Sequence, residues 1–219
     1  MYPTPEEEIK NLSASDTLLF QEIEGMVRID GWLMVKEAIA LYDLATRTTS
    51  QYPVFCEIGS WKGKSAYVFG TAIKTLGCGV HYCVDPFSGI GDAASEPVYK
   101  KDLRDMDIPL LSQFVNNLNR EGVLHTIRIL PAISENARLL FRESRIDVLF
   151  IDGNHEYQYV QRDIALWAPL IPSGGWLAIH DYGATHVDGP RRAVDERLRT
   201  SPDWMNGHVI GEMYVTQRV

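Results

Sequence analysis

Five short apolar runs, four of them stopping abruptly at an acid or a glycine, constrain this chain more than any other feature. "PVFCEIG" leads into the helical pattern "KSAYVFGTAIKTLG", and "VHYCVDPF" closes on an acid. "HTIRILPA" precedes "SENARLLFRE", "IDVLFIDG" precedes "YQYVQRDIALWAPLI", and "GGWLAIHDY" precedes "PRRAVDERLRT". Strands that are almost continuously apolar have no face for solvent, so helices must cover both sides of the sheet they form. Five such units in 219 residues predict a doubly wound, mostly parallel α/β domain and fall short of an eight-stranded barrel. "HVIGEMYVTQRV" alternates enough to be one long strand or a tight hairpin.

Residues 1–50 read as a helical cap preceding the main domain, 51–219. In "GWLMVKEAIALYDLATRT" apolar residues recur at Leu33, Val35, Ala38, Ile39, Tyr42 and Ala45, near a 3.6 period. Thr4, Pro5 and the three glutamates that follow predict a capped helix start. The polar segment from Ser88 to about Pro109 interrupts the rhythm and reads as a long lid-like loop.

A formal net charge of -8 argues against a general binder of nucleic acid or anionic membrane. No apolar run approaches the roughly 20 residues of a membrane span, and the acidic start is no signal peptide. Cys56, Cys78 and Cys83 form no CxxC pair, and Cys56 and Cys83 lie inside apolar runs. They read as small buried hydrophobes in a cytoplasmic chain.

Ligands of such sheets bind at the carboxyl ends of the strands. The residues there are Glu57, Asp85, Ala132, Asp152 and Asp181, and four of the five are acids. Between the first strand and its helix, Gly59 and Gly63 in "EIGSWKGKSA" permit a sharp turn and close approach of a ligand to the main chain. The dinucleotide pattern GxGxxG is absent. The carboxylate of Glu57 is a poor neighbour for a pyrophosphate and a good one for an ammonium or sulfonium. Asp85, closing the second strand, has the chemistry to accept bonds from both hydroxyls of a ribose.

"EIGSWKGKSA", "VDPF", "FIDGNHEY" and "GGWLAIHDY", in that order, resemble a class I S-adenosylmethionine-dependent methyltransferase. The resemblance is to the small-molecule O-methyltransferase group of catechol-type, macrolide-sugar and antibiotic-tailoring enzymes, and it spans about residues 30 to 219. It implies a Rossmann-like fold and S-adenosyl-L-methionine as cofactor. It also implies that Glu57, Gly59, Ser60, Gly63 and Ser65 hold the methionine part, with Trp61 lining the same pocket. Asp85 would hold the ribose with Phe87 just beyond. Ala132, Ile133 and Ser134 would border the adenine, Ser134 doubling as a helix cap, and Asp152 would complete the cofactor site.

Asp152 and Asp181 end adjacent apolar runs, so their carboxylates face one crevice, where an unpaired couple repels and attracts a proton or a cation. In metal-using members of the resembled group, acids at these positions bind magnesium. The implied metal set is Asp152, His180 and Asp181, with His180 standing where a second oxygen ligand is expected. Imidazole suits magnesium poorly and manganese, zinc or iron better. Methyl transfer needs an acceptor oxygen held near the methyl and relieved of its proton. His155 and His180 are the candidate bases. Asn154, where relatives often carry that base, cannot accept a proton. His81, His125, His186 and His208 have no comparable placement and read as ordinary packed or surface histidines.

The expected activity is therefore O-methylation of a small hydroxylated acceptor such as a sugar, a phenol or another natural product. No nucleic-acid or membrane partner is expected, and self-association is left open. The competing readings are a cofactor-binding domain without metal-dependent transfer and a nicotinamide-binding oxidoreductase. The missing GxGxxG and the acid at Glu57 speak against the second of these.

Overall fold

The computed structural model describes residues 3–219; Met1 and Tyr2, the first residues of the acidic N-terminal stretch, lie outside it. Three helices come first: α1 (Pro5–Lys10), α2 (Ala14–Ile23) and α3 (Val35–Thr46). Thr4 caps α1 in a reciprocal box with Glu7, with Pro5 at the first helical position, as the sequence predicts. Then β1 (Val54–Ile58), α4 (Lys64–Leu76), β2 (Val80–Val84), α5 (Glu96–Arg104), α6 (Leu110–Arg120) and β3 (Ile127–Leu130) follow. The chain ends with α7 (Ser134–Leu140), β4 (Val148–Ile151), α8 (Tyr157–Trp167), β5 (Trp176–Ile179), α9 (Gly189–Arg197), β6 (Trp204–Ile210) and β7 (Met213–Arg218).

One seven-stranded sheet runs in the order β3-β2-β1-β4-β5-β7-β6. The first five strands are parallel, and β7 lies antiparallel to both β5 and β6. The C-terminal stretch is thus the hairpin alternative, turning at Gly211 and Glu212. The sheet is covered on both faces, in agreement with the apolar runs. Phe55, Cys83 and Phe150 face a core built with α2, α3, α4 and α6. Cys56, Ile58, Leu149 and Ile151 face a second core built with α7, α8 and α9.

Two features depart from the linear reading. The N-terminal helices share the first core directly, since Phe20, Ile23, Leu41 and Tyr42 pack with Val68 and Phe69 of α4. The segment from Ser88 to Pro109 is not a structureless loop: it folds into α5, whose polar, lysine-rich sequence hides the helix from an apolar-periodicity reading. The three cysteines are free, Cys56 and Cys83 wholly buried. Among the described residues no helix is long and apolar enough to cross a membrane.

The order reverses between β1 and β4: β1 to β3 build outward one way, and β4 returns to the other flank of β1. That switch point opens the crevice in which such sheets bind ligands. Gly59 and Asp152 meet there, Asp152 N donating to Ile58 O at 2.8 Å.

Candidate active site

The loop after β1 is fastened from below. Gly59 N donates to Val84 O at 2.8 Å, and Gly63, with φ 93°, precedes α4. Asp85 is the anchor: its Oδ2 accepts from the amides of Ser60 and Trp61, both at 2.9 Å, and its Oδ1 accepts from Phe87 N at 2.6 Å. Burial pushes its carboxyl up, against the pull of these three amides. The acid expected to hold a ribose therefore also organises the loop, with one lone pair of Oδ1 left over. Trp61, Phe87 and Asp181 take φ of 46°, 51° and 57°, a left-handed conformation that side chains resist. All three lie two or three residues beyond strand ends at the crevice, where such strain concentrates in functional sites.

At the ends of β4 and β5 the polar cluster forms one charged network. His180 Nε2 lies 3.0 Å from Glu37 Oε2, and its Nδ1 lies 3.1 Å from Asp181 Oδ2 and 3.2 Å from Asp152 Oδ1. His155 Nε2 lies 3.0 Å from Asp181 Oδ2 and its Nδ1 2.8 Å from Asp92 Oδ2. Burial opposes charge on both imidazoles, but the carboxylates outweigh it. His155 is raised to about 9 and His180 well above its ordinary value. Asp181, buried yet bonded by both histidines, is held far below the usual carboxylate range. Two imidazoles thus stand among four carboxyl groups, and burial pushes the Asp152 carboxyl up against the pull of His180.

Sequence reasoning missed three members of this network. Glu37, wholly buried in α3, also accepts from Met34 N at 2.9 Å and from Glu212 N at 2.7 Å. Asp92 and Ser95 come from the segment preceding α5; Ser95 Oγ lies 3.1 Å from His155 Nδ1. The one sequence signal is an acid on the buried face of an otherwise apolar helix at Glu37. Asp92 has none, because only tertiary structure brings it 63 residues along the chain to His155. Asn154 has a local task, its Oδ1 accepting from Glu156 N at 2.9 Å as the chain enters α8.

The lid segment lies closed over the glycine loop. Trp32, Trp61 and Tyr99 form a triangle of rings with centroids 5.0 to 5.6 Å apart. Lys62 Nζ reaches Asp30 at 3.4 Å and Asp102 at 3.5 Å, tying the N-terminal segment, the loop and α5 together.

Beside β3, Ala132 is half-buried and Ile133 is 51% exposed, so a flat apolar surface is offered there. Ser134 does not cap α7 as expected: Ile133 holds the cap position without a side-chain bond, and Ser134 Oγ is turned inward, donating to Asp163 and accepting from Trp167 Nε1 at 2.9 Å. Burial pushes the Asp163 carboxyl up to about 7. An unfolded aspartate titrates near about 3.9, so the native protein keeps a proton that the unfolded chain sheds. Stability should therefore fall as pH rises from about 4 to about 7, by on the order of 3–4 kcal/mol from this group. Asp163→Asn should flatten that fall, and denaturant midpoints between those pH values check it. Parallel curves for parent and variant would refute it.

Donor atoms of Asp152, His155 and Asp181 converge, each within 4.8 Å of the others. His180 is not in this set, so the nitrogen donor compatible with a metal is His155 where the expectation had His180.

Comparison with known proteins follows the same lines. A family model described as "Methyltransferase domain" matches residues 56–182, from β1 through β5. The fold is shared with the O-methyltransferase NovP, at 15% identity over 94% of this chain and 98% of that one, with a TM-score of 0.73. It is shared with the O-methyltransferase TomG from Streptomyces achromogenes, involved in tomaymycin synthesis and solved with S-adenosylmethionine. There the identity is 13%, the coverage 95% and 91%, and the TM-score 0.61. An O-methyltransferase from Bacillus cereus in complex with S-adenosylhomocysteine gives 12%, 96% and 99%, and 0.61. Among curated sequences, the uncharacterized protein R132 of Acanthamoeba polyphaga mimivirus is 46% identical over 37 residues, and the match covers 17% of its length.

Proposed function

The chain belongs to the methyltransferase-domain family, and on that premise we propose that it transfers the methyl group of S-adenosylmethionine to a hydroxyl of a small acceptor. The observation that carries this reading is the acid-rich network at the ends of β4 and β5, facing the glycine loop across the switch point. A crevice lined by so many acids suits a cofactor that brings a sulfonium and an ammonium. Glu57, Gly59, Ser60, Gly63 and Ser65 would take the methionine part with Trp61 beside them. Asp85 and Phe87 would take the ribose, Ala132, Ile133 and Ser134 the adenine edge. Asp152 would face the reacting end. The ring triangle of Trp32, Trp61 and Tyr99 would form the acceptor wall, suited to a phenol or the apolar face of a sugar.

His155 is the better base of the two candidates. His180 is enclosed by three carboxylates and serves as their counter-ion. His155 sits between Asp92 and Asp181, and a cationic sulfonium arriving beside those acids lowers its hold on the second proton. To take the acceptor's proton it would turn Nε2 away from Asp181, while Asp92 holds Nδ1 and fixes the ring. In the alternative, Asp152, His155 and Asp181 would hold a divalent cation, manganese suiting the imidazole better than magnesium, and His155 would then be a ligand and not the base. Such an ion would supply Lewis acidity to the acceptor hydroxyl. No metal is needed for the charge argument, and loss of activity on chelation would decide for it.

Calorimetry with S-adenosylhomocysteine should show micromolar binding, and NAD none; failure of S-adenosylhomocysteine to bind would overturn the reading. In an acceptor screen with labelled S-adenosylmethionine, His155→Gln should lose at least about a hundredfold in rate. Its affinity for S-adenosylhomocysteine should stay within a few-fold. An active variant would remove His155 from the role of base.

A further inference from the structure

We infer that His81 is a positioning residue for the ammonium end of the cofactor, acting through Glu57. The inference rests on the reading that this crevice binds S-adenosylmethionine.

Glu57 of β1 is paired in register with Cys83 of β2, and His81, two residues earlier, shares that face of the sheet. Both Glu57 and His81 are 0% exposed, with His81 Nε2 lying 3.2 Å from Glu57 Oε2. On its other side the His81 ring stacks on Phe69 of α4, centroids 4.6 Å apart and planes 25° apart. Neither oxygen of Glu57 accepts a well-formed hydrogen bond, and Ser60 Oγ, also buried under the glycine loop, is unpartnered too. Leaving buried polar atoms unsatisfied is costly and in native proteins marks a missing partner. A carboxylate with free lone pairs beneath the loop calls for a cationic donor, and the cofactor's α-ammonium is one.

The chemistry of His81 decides how Glu57 can serve. Neither of its nitrogens completes a well-formed hydrogen bond, although Nε2 stands 3.2 Å from Oε2. Nε2 is a polar atom facing Oε2, and a slight turn of either side chain brings it into line as a donor. A donor at that place steadies the carboxyl group through Oε2. Oε1 stays open to the ligand. The ring, wedged between Phe69 and Glu57, also blocks rotation of the carboxylate away from the loop.

The test compares two probes that share the adenosine and the sulfur and differ in the amino-acid tail: S-adenosylhomocysteine and 5′-methylthioadenosine. His81→Phe keeps a ring against Phe69 and removes the donor. It should weaken S-adenosylhomocysteine about tenfold and leave 5′-methylthioadenosine unchanged. His81→Gln, which keeps an N–H donor, should recover most of the loss. His81→Asn, which withdraws the contact without adding volume, gives the same reading should the phenylalanine variant not fold. Equal weakening of both probes would mark a merely structural residue and overturn the inference, as would unchanged affinity for S-adenosylhomocysteine. Glu57, His81 and Cys83 also bring donor atoms within 4.8 Å of one another. Stoichiometric zinc in the purified chain, removed by Cys83→Ser, would make Glu57 a metal ligand and overturn it as well. Failure of both probes to bind the parent chain would instead bring down the functional reading on which it rests.

Discussion

Gly59→Ala is expected to destabilise the protein by more than about 3 kcal/mol and to abolish binding of S-adenosylhomocysteine. Gly59 takes φ 90°, and a Cβ there would stand 2.0 Å from the carbonyl oxygen of Asp152. That neighbour is backbone, fixed by the bond from its own amide to Ile58, so it cannot yield as a flexible side chain would. Relief requires parting β1 from β4 at the switch point. Gly77 is the control: its φ of 75° is similarly left-handed, but no atom lies within 4 Å of its Cβ position. Gly77→Ala should cost only about 1 kcal/mol of conformational strain. Thermal melts of the pair check the contrast, and equal losses would show that close approach at Gly59 is not the cause.

His180→Leu is expected to cost about 3–5 kcal/mol, because it leaves Glu37, Asp152 and Asp181 facing one another around a buried apolar group. For a chain of this size that lowers the melting temperature by roughly 10 °C. Adding Glu37→Leu removes one of the stranded carboxylates, so the double variant should melt above the single one. Such non-additivity is expected of side chains in one network. A His180→Leu protein as stable as the parent would refute its role as counter-ion.

Much of this architecture was readable in the residues. The apolar runs locate the five parallel strands because a doubly covered strand has no polar alternation, and the acids at their ends locate the crevice. Asp152, Asp181, His155 and His180 do converge, since neighbouring parallel strands bring their ends together. Their division of labour was not readable. Whether an imidazole is a base, a ligand or a counter-ion depends on what faces each nitrogen, and Glu37 and Asp92 arrive from elements far away in sequence. His81 looked like an ordinary packed histidine because its partner is set by the register of β1 on β2. The helix α5 was invisible for a different reason: its stability comes from Tyr99, Lys62 and Asp92 contacts and not from an apolar stripe of its own.

The double attachment of Glu37 makes the C-terminal hairpin a mechanical part of the site. One oxygen meets His180 and the other the amide of Glu212, 175 residues downstream. Glu37 is thus a rivet joining α3, the end of β5 and the turn between β6 and β7. A displacement of that hairpin pulls on the carboxylate that steadies the His180 ring.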